Sequence, residues 1–487
     1  MGNVTINLDE FKKKVTSYNR KDWDIIEKAY FYAEKCHKNQ KRASGEPYIM
    51  HPLNVAYILA SMHADADTLC AALLHDVVED TKTSLSDITK EFNETVAYLV
   101  DGVTKLSKMS FSNKDELMAT NIRRIIVSIR EDARIIIIKL VDRLHNMRTL
   151  EYKKIDRQQQ IALETLEIYV PMAYYIGAYK IKDELEDFSF RYLKPDTYRE
   201  LEKKLNVIHH DSKKMLNKMV LNVKKALKEQ DIKCRLEMRF KDTYSVHKKM
   251  ITKSTIDNIH DLLGIKVIVN DIKDCYLALM VIHSLYPPVS YKFKDYIVNP
   301  KTNMYKALHT TVFGNNNRLV QFQIRTKEME RIAIYGLTSY WFKNRSFDQR
   351  EVQKDLEDNF QFFKSIKELD SSIADNIEFV NQIKTEIFGA NVYVRTTQGE
   401  VIELPVNATP IDFAYKIHTD IGNSMIAAIV NDEVVPFDYR LKSNDRVRIV
   451  TDSKAFVPKD DWLDKVVTTH AKREIAEYLR EHDCECK

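Results

Sequence analysis

Four residues of kinds that bind divalent metals stand in three short stretches of the first third of the chain. His51 precedes Pro52, His75 and Asp76 are adjacent within Ala71-Ala-Leu-Leu-His-Asp-Val-Val-Glu-Asp80, and Asp142 lies in Lys139-Leu-Val-Asp-Arg-Leu-His-Asn-Met-Arg148. A lone helical histidine is ordinarily a hydrogen-bonded core residue, but two imidazoles with two carboxylates form a mixed nitrogen and oxygen donor set. Such a set suits a borderline ion such as Mn²⁺ or Zn²⁺, leaves positions for water and a substrate phosphate, and would acidify that water. Glu79 and Asp80 follow His75 and Asp76 by four residues. That is about one helical turn, so they share a face with their predecessors and are placed to serve as general base or to position a nucleophile.

A second group is cationic. Arg239, Lys241, Ser245 and Lys249 precede Asp261; Lys292, Lys294, Asn303, Tyr305 and His309 follow, and Gln321-Phe-Gln-Ile-Arg325-Thr326 closes the series. Cations interleaved with aromatics are what phosphate chains and bases require, although a charge run alone also describes a solvated surface. A further histidine, His418, stands in Ile417-His-Thr-Asp-Ile-Gly422.

The elements that must hold these residues change character along the chain. From Tyr18 to about Leu193 apolar residues recur at three- and four-residue spacing, punctuated by Pro47, Pro52 and Pro171, which predicts an all-α block over residues 1–195. A charged segment, Lys203 to Lys233, predicts a connecting helix with a solvated face. Runs at Gly264–Val269, Thr310–Phe313 and Leu319–Ile324 are β-branched and aromatic and predict an α+β domain within residues 196–345. Residues 346–385 are expected as a helical linker. Residues 386–452 are expected as a small β-grasp-like module with strands at Asn391–Thr396, Val401–Leu404, Met425–Val430 and Arg446–Val450 and a helix at Ile411–His418. Residues 453–487 are expected as a helical tail through Trp462 and Tyr478.

Composition bounds the function without fixing it. A chain of 487 residues, at about 150 residues per domain, should hold roughly three domains. Its 75 Lys and Arg against 71 Asp and Glu leave a net charge of +4, an ordinary value for a water-soluble protein and no signature of nucleic-acid binding. The 10 glycines form neither G-x-G-x-x-G nor a P-loop, so bound phosphates must be held another way. The longest apolar runs, such as Ile135 to Ile138, fall far short of the roughly 18 residues of a membrane span. The N-terminal residues lack an apolar signal core, and Ile6 stands where a myristoylation signal needs Ser or Thr. The six cysteines are scattered apart from Cys484-Glu485-Cys486, as expected of reduced thiols in a cytoplasmic protein.

Nearly the whole chain resembles the long RelA/SpoT-type synthetase/hydrolases of guanosine tetra- and pentaphosphate, (p)ppGpp. Arg42-Ala-Ser-Gly-Glu-Pro-Tyr-Ile-Met-His51, Ala72-Leu-Leu-His-Asp-Val-Val-Glu-Asp-Thr81 and Asp142-Arg-Leu-His-Asn-Met-Arg-Thr-Leu150 match its HD hydrolase domain, with no departure at a chemically necessary position. The resemblance implies that His51, His75, Asp76 and Asp142 bind Mn²⁺, that Glu79 and Asp80 are catalytic, and that Arg42, Asn146 and Thr149 receive the guanosine. Residues 239–326 resemble the family's synthetase, a nucleotidyltransferase-like domain that moves pyrophosphate from ATP to GDP or GTP. There Arg239, Lys241, Ser245, Lys249, Asp261, Tyr305, His309, Gln321 and Arg325 would line the site, with Tyr305 stacking on the acceptor guanine. Val401-Ile-Glu-Leu-Pro405 and Ala408–Gly422 resemble its TGS domain, in which the position of His418 contacts the 3′ end of a tRNA on the ribosome.

The synthetase half departs from the family pattern. Gln321 stands where a carboxylate is expected at the head of the E-x-Q-I-R-T strand, and a neutral amide is a weak Mg²⁺ ligand and no base. Lys266, Glu330, Ile334 and Tyr340 also replace an arginine, a histidine, a glutamate and a histidine. The leading expectation is therefore a hydrolase converting ppGpp or pppGpp to GDP or GTP and pyrophosphate, with pyrophosphokinase activity doubtful. Two alternatives stand beside it: a bifunctional enzyme that uses Mg²⁺ in its synthetase site, and a catalytically silent nucleotide sensor with a tRNA- or protein-binding TGS module. Expected partners are guanine nucleotides, with tRNA, the ribosome or a second copy of the chain as further candidates and no membrane. Long members continue past TGS into regulatory regions, of which Trp462 to Arg480 resemble only the beginning, so the sequence is expected to be either part of a longer chain or a naturally short member.

Overall fold

The computed structural model describes residues 6–15, 20–107, 123, 132–253, 255–256, 259–298, 305–314, 318–336, 339, 370, 373–382, 391–452 and 458–483. Asn303, Tyr340, Cys484, Cys486, residues 108–120 and most of 346–385 lie outside the described residues. The chain divides into two units, Met1–Met109 with Glu131–Gln361, and Ser110–Arg130 with Phe362–Lys487.

The first unit begins with the expected helical block. Its central helix, Ala133–Arg148, buries Ile135, Ile136, Ile137 and Ile138 together. Four successive β-branched residues favour a strand on local propensity, but the helix is covered on every side and burial overrides propensity. Asp132 caps its start by accepting from the Arg134 amide at 2.9 Å. Helices Met50–Ser61, Glu94–Ser107 and Tyr179–Leu193 pack on it. Helix Ala66–Leu74 is buried continuously from Thr68 to Leu74 and is capped by Asp65, which accepts from the Thr68 amide at 2.8 Å. Such a cap stabilises a helix by about 1 kcal/mol. A short helix, Val77–Asp80, follows at once.

The expected connecting helix is longer and less solvated than its charge suggests. It runs from Pro195 to Glu229. Its first half buries Tyr198, Leu201 and Leu205 against Phe190 and Val246, and its second sends Leu216, Met219, Val223 and Leu227 into the core of the next domain. That domain is a five-stranded mixed sheet of β1 (Arg235–Phe240), β2 (Leu263–Val269), β3 (Lys294–Asp295), β4 (Leu308–Phe313) and β5 (Leu319–Thr326) in the order β1-β2-β5-β4-β3. Strand β5 pairs parallel with β2 and antiparallel with β4. By two-residue alternation it turns Val320, Phe322 and Ile324 into the core and Gln321, Gln323 and Arg325 to the opposite face. The edge strand β1 is not among the expected strands, although its sequence alternates strictly: Leu236, Met238 and Phe240 pack against the core between Arg235, Glu237 and Arg239.

Two of the contacts between the halves of this unit show how closely they are fitted. Glu186, 3% exposed, accepts from Lys182 at 2.6 Å on its own helix and from Lys248 at 2.7 Å in the sheet domain. Gly336 has φ +57°, and a Cβ there would overlap the Ile176 carbonyl oxygen, so both conformation and packing demand glycine.

The second unit holds strands β6 (Asn391–Thr396), β7 (Val401–Pro405), β8 (Met425–Val430), β9 (Glu433–Val435) and β10 (Arg446–Thr451) in the order β7-β6-β10-β8-β9. Among the described strands of this unit only the β6–β10 pair is parallel, and helix Pro410–Ile417 packs on the sheet, which is the β-grasp arrangement. The tail is no appendage. Trp462, Val466, Ala471 and Ile475 share a core with Ile411, Tyr415 and Met425. Asp412, 1% exposed, accepts from the Val467 amide at 3.0 Å and from the Thr468 amide and hydroxyl at 2.8 Å each. Among the described residues no helix is long and apolar enough to cross a membrane.

Candidate functional site

The helical block brings three of the four expected ligands into one buried cluster. His51 lies in the first turn of Met50–Ser61, His75 ends Ala66–Leu74, and Asp142 lies on the central helix; one ligand atom of each falls within 4.8 Å of the others. His51 Nε2 is 3.1 Å from Asp142 Oδ1 and His75 Nε2 is 3.9 Å from the same oxygen. Asp76, just after His75, joins by both oxygens, 3.2 Å from His75 Nε2 and 3.6 Å from His51 Nε2. His75 Nδ1 is 2.8 Å from the Ala72 carbonyl, which can only accept, so that nitrogen carries the proton and Nε2 presents a lone pair. His75 Nε2 is buried and makes no hydrogen bond. A buried, unpartnered nitrogen facing a second imidazole and two carboxylates fits a divalent cation.

Side chains that the motif reading did not single out orient this cluster. His51 Nδ1 and His145 Nδ1 are 2.7 Å apart, so one donates to the other; Arg42 Nη1 also lies 3.3 Å from His145 Nδ1. Both contacts are met when His145 Nδ1 accepts, which leaves His51 Nε2 as a lone-pair donor. Burial, then His51 and Arg42, hold His145 down to about 2, and burial lowers His51 as well, so both rings stay neutral. Lys139 donates to Asp142 Oδ2 at 2.7 Å and Asn146 Nδ2 to Asp142 Oδ1 at 2.6 Å. Burial opposes ionisation of Asp142, but Lys139 and the neighbouring rings hold it well below the usual carboxylate range. Lys139 and His145 flank Asp142 by three residues on one helix, a spacing visible in the sequence. Tyr48 carried no such signal. Its hydroxyl lies 2.9 Å from Asp76 Oδ2 and 2.8 Å from Asp80 Oδ2, donating to either, and burial with these carboxylates raises its phenol so that it remains a donor.

The other expected residues surround the cluster. Glu79 and Asp80 are exposed in the last turn of Val77–Asp80. Partial desolvation, then the Asp76 carboxylate, lifts the Glu79 carboxyl above its ordinary value. Arg42 donates to Asn146 Oδ1 at 2.8 Å, so two of the three expected guanosine contacts are bonded to each other and, through Asn146, to Asp142. The Thr149 hydroxyl turns back to the His145 and Asn146 carbonyls at 3.2 and 3.4 Å.

The sheet domain carries a cavity of about 880 Å³ lined by all nine residues expected there. Its lining carries more cations than carboxylates, and the carboxylate expected to bind Mg²⁺ is already paired within the chain. Asp261 accepts from Lys241 at 2.7 Å and from Lys249 at 2.6 and 2.7 Å. Burial would raise its carboxyl, but these ammonium groups hold it well below its ordinary value. Gln321 Oε1 accepts from Gln323 at 3.2 Å. With one expected Mg²⁺ position occupied by lysines and the other neutral, these two residues do not fit a hard dication. Tyr305 is 8% exposed and edge-on to Tyr179 at 5.6 Å between ring centroids, with Arg325 5.6 Å over its ring. Its ring is largely buried and forms part of the cavity wall. Two of the residues that depart from the family pattern meet, Lys266 donating to Glu330 at 3.0 Å. In the second unit, His418 caps helix Thr419–Asn423 with Nδ1, and its side chain is 64% exposed, not packed.

A buried histidine and aspartate cluster in an all-α domain, a mixed-sheet domain with a cationic cavity and a β-grasp module together define a modular chain with two candidate sites. Family models match in the same order: an HD domain over residues 29–178, the region found in RelA/SpoT proteins over 238–346, and a TGS domain over 392–451. The chain is 38% identical over 482 residues to guanosine-3′,5′-bis(diphosphate) 3′-pyrophosphohydrolase of Aquifex aeolicus, covering 99% of this chain and 68% of that one. It is 40% identical over 457 residues to the bifunctional (p)ppGpp synthase/hydrolase SpoT of Escherichia coli K12, covering 93% and 64%. To the GTP pyrophosphokinase of Myxococcus xanthus it is 40% identical over 468 residues, covering 95% and 61%. The chain belongs to the RelA/SpoT family. It spans between about three fifths and two thirds of the length of these curated relatives.

Proposed function

We propose that the chain is a metal-dependent hydrolase that removes the 3′-pyrophosphate of ppGpp and pppGpp, yielding pyrophosphate with GDP or GTP. The observation that carries this reading is the unpartnered Nε2 of His75, buried beside His51 and Asp142. In this reading His51, His75, Asp76 and Asp142 hold Mn²⁺, which when bound supplies Lewis acidity toward phosphoryl oxygens and a more acidic water. The protein's own groups do the rest. Glu79 takes the proton of the attacking water, and Asp80, steadied by Tyr48 and by Gln40, which donates to its carbonyl at 2.8 Å, positions the water. Arg42, Asn146 and Thr149 receive the guanosine. The cationic lining of the sheet cavity, with Asp261 tied to two lysines and Gln321 neutral, supports a domain that binds nucleotide without transferring pyrophosphate. His418, exposed at a helix start, is the candidate contact for a tRNA 3′ end, and the cytoplasm is the proposed location.

The test is incubation of the purified protein with ppGpp while Mn²⁺ is titrated from zero after chelation. Turnover should be absent without metal and saturate with it. Turnover unaffected by chelation would remove the metal centre from the account.

A further inference from the structure

The sheet cavity contains an anion of the chain's own, placed where an anionic ligand would meet its cations. Glu330, in the first turn of helix Lys327–Tyr335, is 4% exposed. Its Oε1 accepts from Lys266 Nζ at 3.0 Å and its Oε2 lies 2.8 Å from Arg325 Nε. Lys266 belongs to β2 and Arg325 to the neighbouring β5, so one carboxylate bridges cations of two adjacent strands at the cavity wall. The two contacts differ in quality. Arg325 Nε and Glu330 Oε2 attract by charge at 2.8 Å, yet the N–H is not aimed at the oxygen, and both atoms are buried without a hydrogen bond. Arg325 Nη2 donates to Gln323 at 3.0 Å. A guanidinium reaches its strongest pairing with a planar acceptor taken by two parallel N–H groups, as a phosphate or carboxylate can be, and Glu330 does not supply that geometry.

The cavity is far larger than one carboxylate, and cations from three separate elements face it: Arg239 on β1, Lys292 before β3 and Lys294 on it. We propose that Glu330 is an internal pseudo-ligand: it neutralises Lys266 and Arg325 while the cavity is empty and yields them to the phosphate chain of an incoming nucleoside polyphosphate. The affinity of the cavity is then set by competition between two anions for the same cations. This rests on the reading of the cavity as a nucleotide site.

The proposal predicts effects of opposite sign from one substitution. E330Q keeps the shape of the side chain but leaves Arg325 without its counter-ion and Lys266 with only the more distant Glu237, at 3.5 Å, so the empty protein loses stability. The same uncompensated charge attracts phosphate more strongly, so binding tightens. A Glu330 with a merely structural role would lose stability and affinity together.

The experiment compares full-length wild type, E330Q and the double variant E330Q/K266Q by calorimetric titration with GDP and with inorganic tripolyphosphate, and by thermal unfolding with and without each. E330Q should bind at least one of them about tenfold more tightly, equivalent to about 1.4 kcal/mol, melt lower when empty, and gain more in melting temperature from the ligand than wild type does. The double variant should lose that gain. A gain with both probes assigns the competition to the phosphate chain alone, and a gain with GDP only assigns it to a nucleoside-bound chain. Should E330Q not fold, E330D, too short to span both cations, should give a smaller gain of the same sign. Wild type that binds, with a folded Glu330 variant binding equally or more weakly, would overturn the pseudo-ligand while leaving a nucleotide cavity. Binding of neither probe by any variant would overturn both.

Discussion

The helical centre and the sheet cavity are built from the same side-chain types in opposite states of pairing. In the helical block, carboxylates and imidazoles converge until His75 Nε2 is buried with no hydrogen-bond donor or acceptor role filled within the protein. In the cavity, Asp261 is held by Lys241 and Lys249, and Glu330 by Lys266 and Arg325. One region leaves lone pairs for a cation; the other has supplied its own. Phosphoryl transfer needs carboxylates available to a metal, and this contrast is why the proposed chemistry is assigned to the helical half.

The largest effect that tests this contrast is loss of the centre. His75→Ala or Asp76→Ala should abolish bound metal and reduce ppGpp breakdown to the rate without enzyme, measured by elemental analysis and product release on one preparation. Glu79→Gln should retain the metal and lose about 10²- to 10⁴-fold in kcat, the usual contribution of a general acid or base. Full kcat in that variant would leave Asp80 as the base. Asn146→Ala removes the 2.6 Å bond to Asp142, so metal affinity should fall about 10- to 100-fold in addition to any rise in KM for ppGpp. A pure KM effect, with metal binding intact, would assign Asn146 to the nucleoside alone. On the cavity side, Gln321→Glu should raise pyrophosphate transfer from ATP to GDP by less than about tenfold, below the 10²- to 10⁴-fold expected from restoring a sufficient catalytic group. Restoring the strand's carboxylate leaves Asp261 tied to two lysines. Robust synthesis would erase the contrast. The smallest effect belongs to Thr149, whose hydroxyl faces helix carbonyls: Thr149→Ala should change KM by about 2- to 10-fold, the span of one ordinary hydrogen bond.

What could be read from the sequence follows from how local each signal is. His51, His75, Asp76 and Asp142 are recognisable because ligand chemistry restricts residue type, and Asp80 follows Asp76 by one turn of helix. Lys139 and His145 were equally legible by spacing from Asp142, but nothing in a sequence says that His51 will meet His145 at 2.7 Å across 94 positions. Tyr48 is a surface-type residue until the fold sets it between two carboxylates. Helix Pro195–Glu229 looked like a connector because lysines dominate its composition, while the apolar stripe that enters the sheet core is a minority of its residues. The pairing of Lys266 with Glu330 was hidden in a different way. Each reads as a separate departure, 64 positions apart, and only the packing of helix Lys327–Tyr335 on β2 and β5 makes them one feature.

The most direct measurement uses ppGpp labelled in the terminal phosphate of its 3′ diphosphate, with Mn²⁺ and chromatographic separation of products, for wild type beside Asp76→Ala. The account predicts that all released label appears as pyrophosphate, stoichiometric with GDP, and that the Asp76→Ala protein releases none. Label released as inorganic phosphate, or pyrophosphate released equally by both proteins, would contradict it.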